Sequence, residues 1–564
     1  MNTSHAAYVC GTSGAPLRYQ TIGDALTETA SLHGDREALV VPHQNIRMTW
    51  AALDAAVTEL ARGFLDLGLA PGDRVGIWSP NNAEWVLTQL ATARAGLILV
   101  CVNPAYRISE LEFALNKVGC RALVTAERLK TSDYLAMLDE LAPELATSTP
   151  GELRAARLPD LRWIVTIGEM ARPGCVRFED VRARGEAADP EGLKAILPTL
   201  QADDAINIQF TSGTTGAPKG ATLTHFNILN NGRLVAATQQ FTEADRLCIP
   251  VPLYHCFGMV MGVLGCLTHG TAMIFPGEAF EPASVLATVQ AERCSALYGV
   301  PTMFIAELGL QNFGDFDLST LRTGVMAGAP CPTEVMKQVQ ADMHMTQVTI
   351  CYGMTETSPV SFQSHVDDPL DKRVSTVGRI HPHVQVKIIS EDGQVVRRGE
   401  TGELCTRGYC VMRGYWDEAQ KTAESIDAAG WMHTGDLAVM DEDGYLNIVG
   451  RVKDMIIRGG ENIGPREIEE YLYRHEAIAD VAVFGVPDDR LGEAVAAWIM
   501  LREGASLTEA DVRAFCDGQI AHYKVPRHIK FVSEFPMTVT GKLQKFVMRD
   551  AFAEELGRVA AKTA

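Results

Sequence analysis

One ten-residue stretch concentrates the groups that hold an anion: Thr211-Ser-Gly-Thr-Thr-Gly-Ala-Pro-Lys-Gly220. Hydroxyl side chains donate hydrogen bonds, glycines let backbone N–H groups come close, and Lys219 adds a full positive charge. Such a loop suits a polyphosphate. The spacing is not that of a Walker A loop, which needs Gly-Lys-Ser/Thr after four intervening residues. An apolar run, Ala205–Phe210, precedes the loop and reads as the strand that presents it.

Further short motifs follow in order: Gly328-Ala-Pro330, Tyr352-Gly-Met-Thr-Glu-Thr357, Gly402-Glu-Leu404 with Arg407-Gly408, Thr434-Gly-Asp436, Gly450-Arg451 and Thr540-Gly-Lys542. Together with the first loop, this series resembles the adenylate-forming superfamily of acyl-CoA synthetases, peptide-synthetase adenylation domains and luciferases. The resemblance spans nearly the whole chain. It implies a carboxylate attacking the α-phosphorus of ATP, expelling pyrophosphate and leaving an acyl-adenylate. It also implies roles residue by residue. Thr211, Ser212, Gly213, Thr214, Thr215 and Gly216 would cradle the β- and γ-phosphates, with Lys219 beside them. Glu356 would ligate Mg2+, and Thr355 would meet the α-phosphate or the reacting carboxylate. Tyr352, with Gly353, would stack on adenine next to Gly328, Ala329 and Pro330. Asp436 and Arg451 would bind the ribose. Lys542 would be the main catalytic cation, carried in by a mobile domain to bridge carboxylate and α-phosphate.

The same resemblance implies a second half-reaction, in which coenzyme A takes the acyl group. Lys453 occupies the hinge position, where some relatives carry Asp. Gly459 and Gly460 would let the pantetheine arm pass. The segment Pro252-Leu-Tyr-His-Cys-Phe-Gly258 and the following Met259–Leu264 match the acid-binding region, giving His255, Phe257, Gly258 and Met259, with Gly299, Val300 and Ala327 as further wall. No carboxylate stands there to pair an ammonium group, so an α-amino acid is disfavoured. The pattern looks closest to medium-chain fatty acyl-CoA synthetases of the acyl-CoA synthetase family member two type. Two alternatives stay open: an enzyme loading an acyl carrier protein, and a ligase for an aryl or short thioether acid.

These residues need a scaffold. The spacing predicts a helix over Ala51–Leu67 with Leu53, Val57, Leu60, Phe64 and Leu67 on one face. Strands are expected at Arg74–Ser79, Leu97–Val102, Arg121–Ala126 and Trp163–Ile167. Ser109-Glu-Leu-Glu112 reads as a capping box opening a helix that stops at Gly119. Residues 140–160 read as a surface insertion. Near Gly450 the pattern changes: a helix over Arg466–Tyr473, a strand over Val481–Val486 and a helix near 508–520. The expected class is α/β, with a large N-terminal domain of layered α/β sheets (1–450) and a small mobile α+β C-terminal domain (451–564) hinged near 451–454.

Composition bounds the rest. The 564 residues carry a net charge of −20, which argues against nucleic-acid binding. Thirteen cysteines without a CxxC pair fit reduced thiols in a cytoplasmic protein. The apolar stretch Val86–Val102 is broken by Gln89 and Arg94 and reads as helix plus strand, not as a membrane span. Partners are expected to be small molecules, the protein a monomer or homodimer.

Overall fold

The computed structural model describes residues 5–211, 218–329, 331–451, 454–458, 461–488, 491–517, 519–520, 522–537 and 543–557. Two large sheets dominate. In the eight-stranded one, Cys175–Arg177, Trp163–Thr166, Ala122–Thr125, Arg74–Trp78, Ile98–Cys101 and Ala205–Thr211 run parallel, and Lys219–Thr224 and Gly414–Tyr415 close the edge antiparallel. In the nine-stranded one, Gln347–Gly353, Thr323–Ala327, Ala296–Gly299, Arg246–Cys248, Ala272–Ile274 and Glu37–Val41 form the parallel centre. Parallel strands need helical crossovers on both faces, hence the near-continuous apolar runs.

The helix Trp50–Asp66 supplies one such cover. Thr49 caps it by accepting the Ala52 N–H at 3.2 Å, and Leu53, Val57, Leu60 and Phe64 are fully buried. Helix Ala83–Arg94 packs beside it, followed by strand Ile98–Cys101, as the interrupted apolar stretch implies. Arg94 is buried, its charge met by Asp54 at 2.6 Å. No helix among the described residues is long and apolar enough to cross a membrane.

A third sheet of five antiparallel strands, Tyr8–Cys10, Val384–Ile389, Gly402–Gly408, Met432–Met440 and Leu446–Arg451, shares a core with the nine-stranded sheet. A fourth is built from Glu461–Ile463, Ile456–Arg458, Gly492–Leu501, Ile478–Asp488 and His528–Phe531. It has its own apolar cores, one around Ile468, Val483 and Ile499, the other around Phe484, Trp498 and Phe552. Its helix Pro465–Leu472 starts with Pro at the first turn, where a missing N–H costs nothing.

Two local expectations fail. The helix predicted to start at Ser109 begins at Ile108, and its reciprocal bond runs from the Arg107 N–H to Glu110 Oε2 at 2.9 Å. A carboxylate one turn in can serve the cap position whatever side chain sits there, so Ser109 falls inside the first turn. The helix does stop at Gly119, with φ 59°. Residues 140–160 are not merely a surface insertion. Leu141, Leu145, Leu153, Ala155 and Leu158 are buried and cover one face of the eight-stranded sheet with Leu123 and Ile164. Their spacing lacks any regular period, so neither helix nor strand template finds them.

Two fully buried histidines make the fold acid-sensitive. His225 Nδ1 accepts the Ile22 N–H at 3.1 Å, and His381 Nε2 meets Gln363 Oε1 at 2.9 Å. Burial pushes each imidazole down to about 3. An unfolded histidine titrates near ~6.5, so the unfolded chain binds protons first as pH falls. The stabilisation is therefore complete above about pH 6.5 and fades towards about pH 3. Between pH 7 and 5 each histidine is expected to account for about 2 kcal/mol of lost stability. Urea unfolding of wild type and His381→Gln at both pH values checks this: the gap between the two should narrow at pH 5.

Candidate active site

The strands Ala205–Thr211 and Lys219–Thr224 form a hairpin in which Thr211 and Lys219 are paired partners. The residues between them, including Ser212, Gly213, Thr214, Thr215 and Gly216, lie outside the described residues, as do Pro330, Lys453, Gly459, Gly460 and Lys542. The hairpin's register places both ends of the phosphate loop beside a buried carboxylate. Glu356, 6% exposed, accepts the Thr211 hydroxyl at 3.2 Å and the Tyr415 hydroxyl at 2.9 Å, both on Oε1. Lys219 Nζ lies 4.8 Å from the centre of the Tyr415 ring, a cation–π distance. Among the described residues no lysine, arginine or histidine lies within ion-pair reach of Glu356. A buried carboxylate ringed by hydroxyls, with no hydrogen bond to its second oxygen among the described residues, is a hard oxygen donor set that fits Mg2+.

The parallel strands of the nine-stranded sheet bring Gly299, Ala327 and Gly353 to their carboxyl ends, the usual ligand side of an open α/β sheet. A Cβ on Gly353 would come within 1.7 Å of the Pro359 carbonyl oxygen, so the return strand Val360–Gln363 requires glycine there. Gly328 has φ +87°, which glycine adopts without strain. Tyr352 donates its hydroxyl to Asp436 Oδ2 at 2.6 Å, and Arg451 Nε meets Oδ1 at 2.9 Å. Burial, then the neighbouring Asp436 charge, pushes the Tyr352 phenol well above its usual range, so it remains a donor. Asp436 and Arg451 face each other across two antiparallel strands. Thr434 accepts the Asp436 N–H, and Glu403 accepts the Gly435 N–H. Four separate sequence motifs thus form one hydrogen-bonded unit.

The acid-pocket segment leads into a π-helical turn, Phe257–Leu264, in which every residue is buried. π-helical turns recur at functional sites because they widen the helix locally. His255 is half-buried, and its Nδ1 accepts the Phe257 N–H at 3.3 Å. Phe257 packs on Tyr298 with ring centres 5.4 Å apart. Gly258, Met259, Val300 and Ala327 are buried, the last three in the same apolar cluster. Cys256 ties the acid segment to strand Ala205–Thr211. Its thiol donates to Gln209 Oε1 at 3.1 Å, and burial pushes it well above the usual thiol range.

Several residues here carry no recognisable signal in the sequence. Asn81 grips the acid segment twice, through the Val251 carbonyl and the Leu253 N–H. Gln89, notable in sequence only for breaking an apolar run, donates to the Met259 carbonyl at 3.1 Å. Gln209 reaches Met259 Sδ at 2.9 Å, and Tyr415 binds Glu356. Each looks like an ordinary polar residue in an apolar stretch until the sheets are stacked.

Comparisons with known proteins place the chain in a family. Residues 26–416 match the family model of the AMP-binding enzymes, and 467–542 match that of the AMP-binding enzyme C-terminal domain. The chain belongs to the AMP-binding enzyme family and is a ligase of that family. The Bacillus subtilis (strain 168) protein YngI, provisionally named an acyl-CoA synthetase, is 48% identical over 96% of this chain and 98% of its own. The mitochondrial medium-chain acyl-CoA ligase ACSF2 of Bos taurus is 46% identical over 98% of this chain and 90% of its own. Among solved structures, the anthranilate CoA ligase AuaEII in complex with anthranoyl-AMP superposes with a TM-score of 0.83 at 26% identity, covering 96% of this chain and 98% of that one.

Proposed function

We propose that this protein is an ATP- and Mg2+-dependent fatty acid–CoA ligase for medium-chain acids. A carboxylate oxygen attacks the α-phosphorus, the bond to the pyrophosphate oxygen breaks, and acyl-AMP forms. The coenzyme A sulfur then attacks the acyl carbonyl, AMP leaves with the bonding electrons, and the thiol proton passes to solvent. The observation that carries this reading is the pair of contacts on Glu356, from the Thr211 hydroxyl at 3.2 Å and the Tyr415 hydroxyl at 2.9 Å, which supports a cation-binding carboxylate beside the phosphate hairpin. Mg2+, when bound, offsets the charge of the β- and γ-phosphates. Glu356 would hold it, Lys219 would face the phosphates, and Asp436 would accept ribose hydroxyls on its free lone pairs. The apolar, carboxylate-free wall around Phe257 and Met259 supports an uncharged acyl chain, and the likeness to ACSF2 supports a medium one.

A pyrophosphate-release screen from acetate to palmitate, with benzoate and 3-methylthiopropionate, tests this. Medium-chain acids should turn over fastest, and AMP release should require coenzyme A. AMP release with an acyl carrier protein but not with coenzyme A would overturn the second half-reaction. Preference for benzoate would overturn the acid. For the ribose contact, Asp436→Ala is expected to raise the KM for ATP about 10–100-fold, the worth of a charge-assisted hydrogen bond. With 3′-deoxy-ATP the variant should lose less than wild type does.

A further inference from the structure

We propose that Glu403, Cys405 and His433 form a binding site for a zinc-class divalent transition-metal ion, on the strand pair that presents Asp436. Cys405 and His433 are direct partners across the antiparallel strands Gly402–Gly408 and Met432–Met440. Glu403 lies two residues before Cys405, on the same face. All three point at one place. His433 Nδ1 is 3.0 Å from Glu403 Oε2 and 3.7 Å from Cys405 Sγ, and the three ligand atoms lie within 4.8 Å of one another. Ligands about 2.0–2.3 Å from a tetrahedral ion stand about 3.3–3.8 Å apart. The trio is therefore near that spacing, and a small shift of Glu403 Oε2, with Oε1 still on the Gly435 N–H, would close it on an ion. Among the described residues no other trio of His, Cys, Asp and Glu comes this close.

The surroundings orient these groups. Glu403 Oε1 is fixed by the Gly435 N–H at 3.1 Å, which leaves Oε2 for the site. Asp427 Oδ1 accepts the Ala429 and Trp431 N–H groups, both at 2.9 Å, and its Oδ2 lies 3.9 Å from His433 Nε2. A carboxylate behind the far nitrogen of a histidine is the usual outer partner of a metal-binding imidazole, because it fixes the tautomer and raises basicity. Ile389 and Trp431 pack against Cys405 and keep its side dry. One thiolate, one imidazole and one carboxylate form a borderline-soft set, which selects zinc-class ions over Mg2+ or Ca2+. A water would complete the coordination from the His433 side, where the ring is 32% exposed.

Cobalt(II) titration of the full chain tests the site through its thiolate-to-cobalt absorption in the near ultraviolet. The expected result is a band that saturates at one ion per chain and is discharged by Zn2+. Cys405→Ser should abolish it. Loss of even an outer-shell partner costs about 10–100-fold in affinity, so His433→Gln and Glu403→Gln should each weaken binding at least about tenfold. Both positions are partly exposed, so these variants remain informative if Cys405→Ser fails to fold. No band in wild type, a band that persists in Cys405→Ser, or unchanged affinity in both other variants would overturn the proposal.

Discussion

Glu356→Gln is expected to lower pyrophosphate release at low Mg2+ by about 10²–10³-fold, the cost of losing one well-placed electrostatic contact to a reacting phosphate group. The reason lies in what surrounds the carboxylate. Glu356 is buried, takes two hydroxyl donors on Oε1, and has no cationic partner among the described residues. A buried charge is normally paired, which is why the proposed function gives this one a cation that arrives with the nucleotide. Glutamine keeps the volume and the Oε1 acceptor, so Thr211 and Tyr415 stay bonded and stability should shift by less than about 1 kcal/mol. Raising Mg2+ should recover part of the rate, because the defect lies in metal affinity and not in the phosphate hairpin. Mg2+ titrations at saturating ATP, read by pyrophosphate release, distinguish the two. A variant equally slow at every Mg2+ concentration would show that Glu356 acts otherwise.

The predicted residues of the candidate site that the structure brings together stand in short motifs: Thr211 and Lys219 flank one contiguous run, and Tyr352, Asp436 and Arg451 each sit in a motif of their own. The strands beneath them were legible, since parallel strands buried on both faces read as apolar runs. What stayed hidden depends on how the sheets stack. Tyr415 reaches Glu356 only because Gly414–Tyr415 adds itself to the edge of the phosphate hairpin. Asn81 and Gln89 hold the acid segment from 170 residues away in sequence. Polar residues of this kind are placed by what they must satisfy once buried, and a sequence window does not show the partner. The Leu145–Leu158 segment was misread for a related reason: its apolar residues fill a sheet face without any period of their own.

Stacking also brings the segments proposed to hold the two substrates into one apolar core. The acid segment is clamped by side chains from both large sheets: Asn81, Gln89 and Gln209 from the eight-stranded side, Tyr298 from the nine-stranded side. Cys256 adds a further bond from that segment to Gln209 Oε1 at 3.1 Å. Holding two reactants in one frame converts an encounter into an intramolecular step, and that accounts for a large share of such a barrier. The missing element is a positive charge at the point of attack. Lys219 is drawn towards the Tyr415 ring on the phosphate side. Two anions must meet at the α-phosphorus, so a second cation has to come from elsewhere.

Lys542→Ala should therefore abolish acyl-adenylate formation while sparing thioester formation from supplied acyl-adenylate. Lys542 itself lies outside the described residues. On either side of it, Met537 and Leu543 form an antiparallel bridge, and the Gln544 N–H donates to the Pro536 carbonyl at 2.9 Å. The neighbouring basic residues are already engaged: Lys545 with Glu469 at 2.6 Å, and Arg549 with Asp550 at 3.6 Å. A lysine that bridges carboxylate and α-phosphate stabilises charge only in the first half-reaction, so the loss should be at least about 10²–10³-fold there. In the second half-reaction no such charge develops at phosphorus, and the rate from pre-formed acyl-adenylate plus coenzyme A should stay within about threefold of wild type on the scale of ordinary surface substitutions. Single-turnover measurements of each half-reaction, with Lys545→Ala as the control, make the comparison. Equal loss in both halves would assign Lys542 a structural part instead, and loss in the control alone would move the catalytic charge to Lys545.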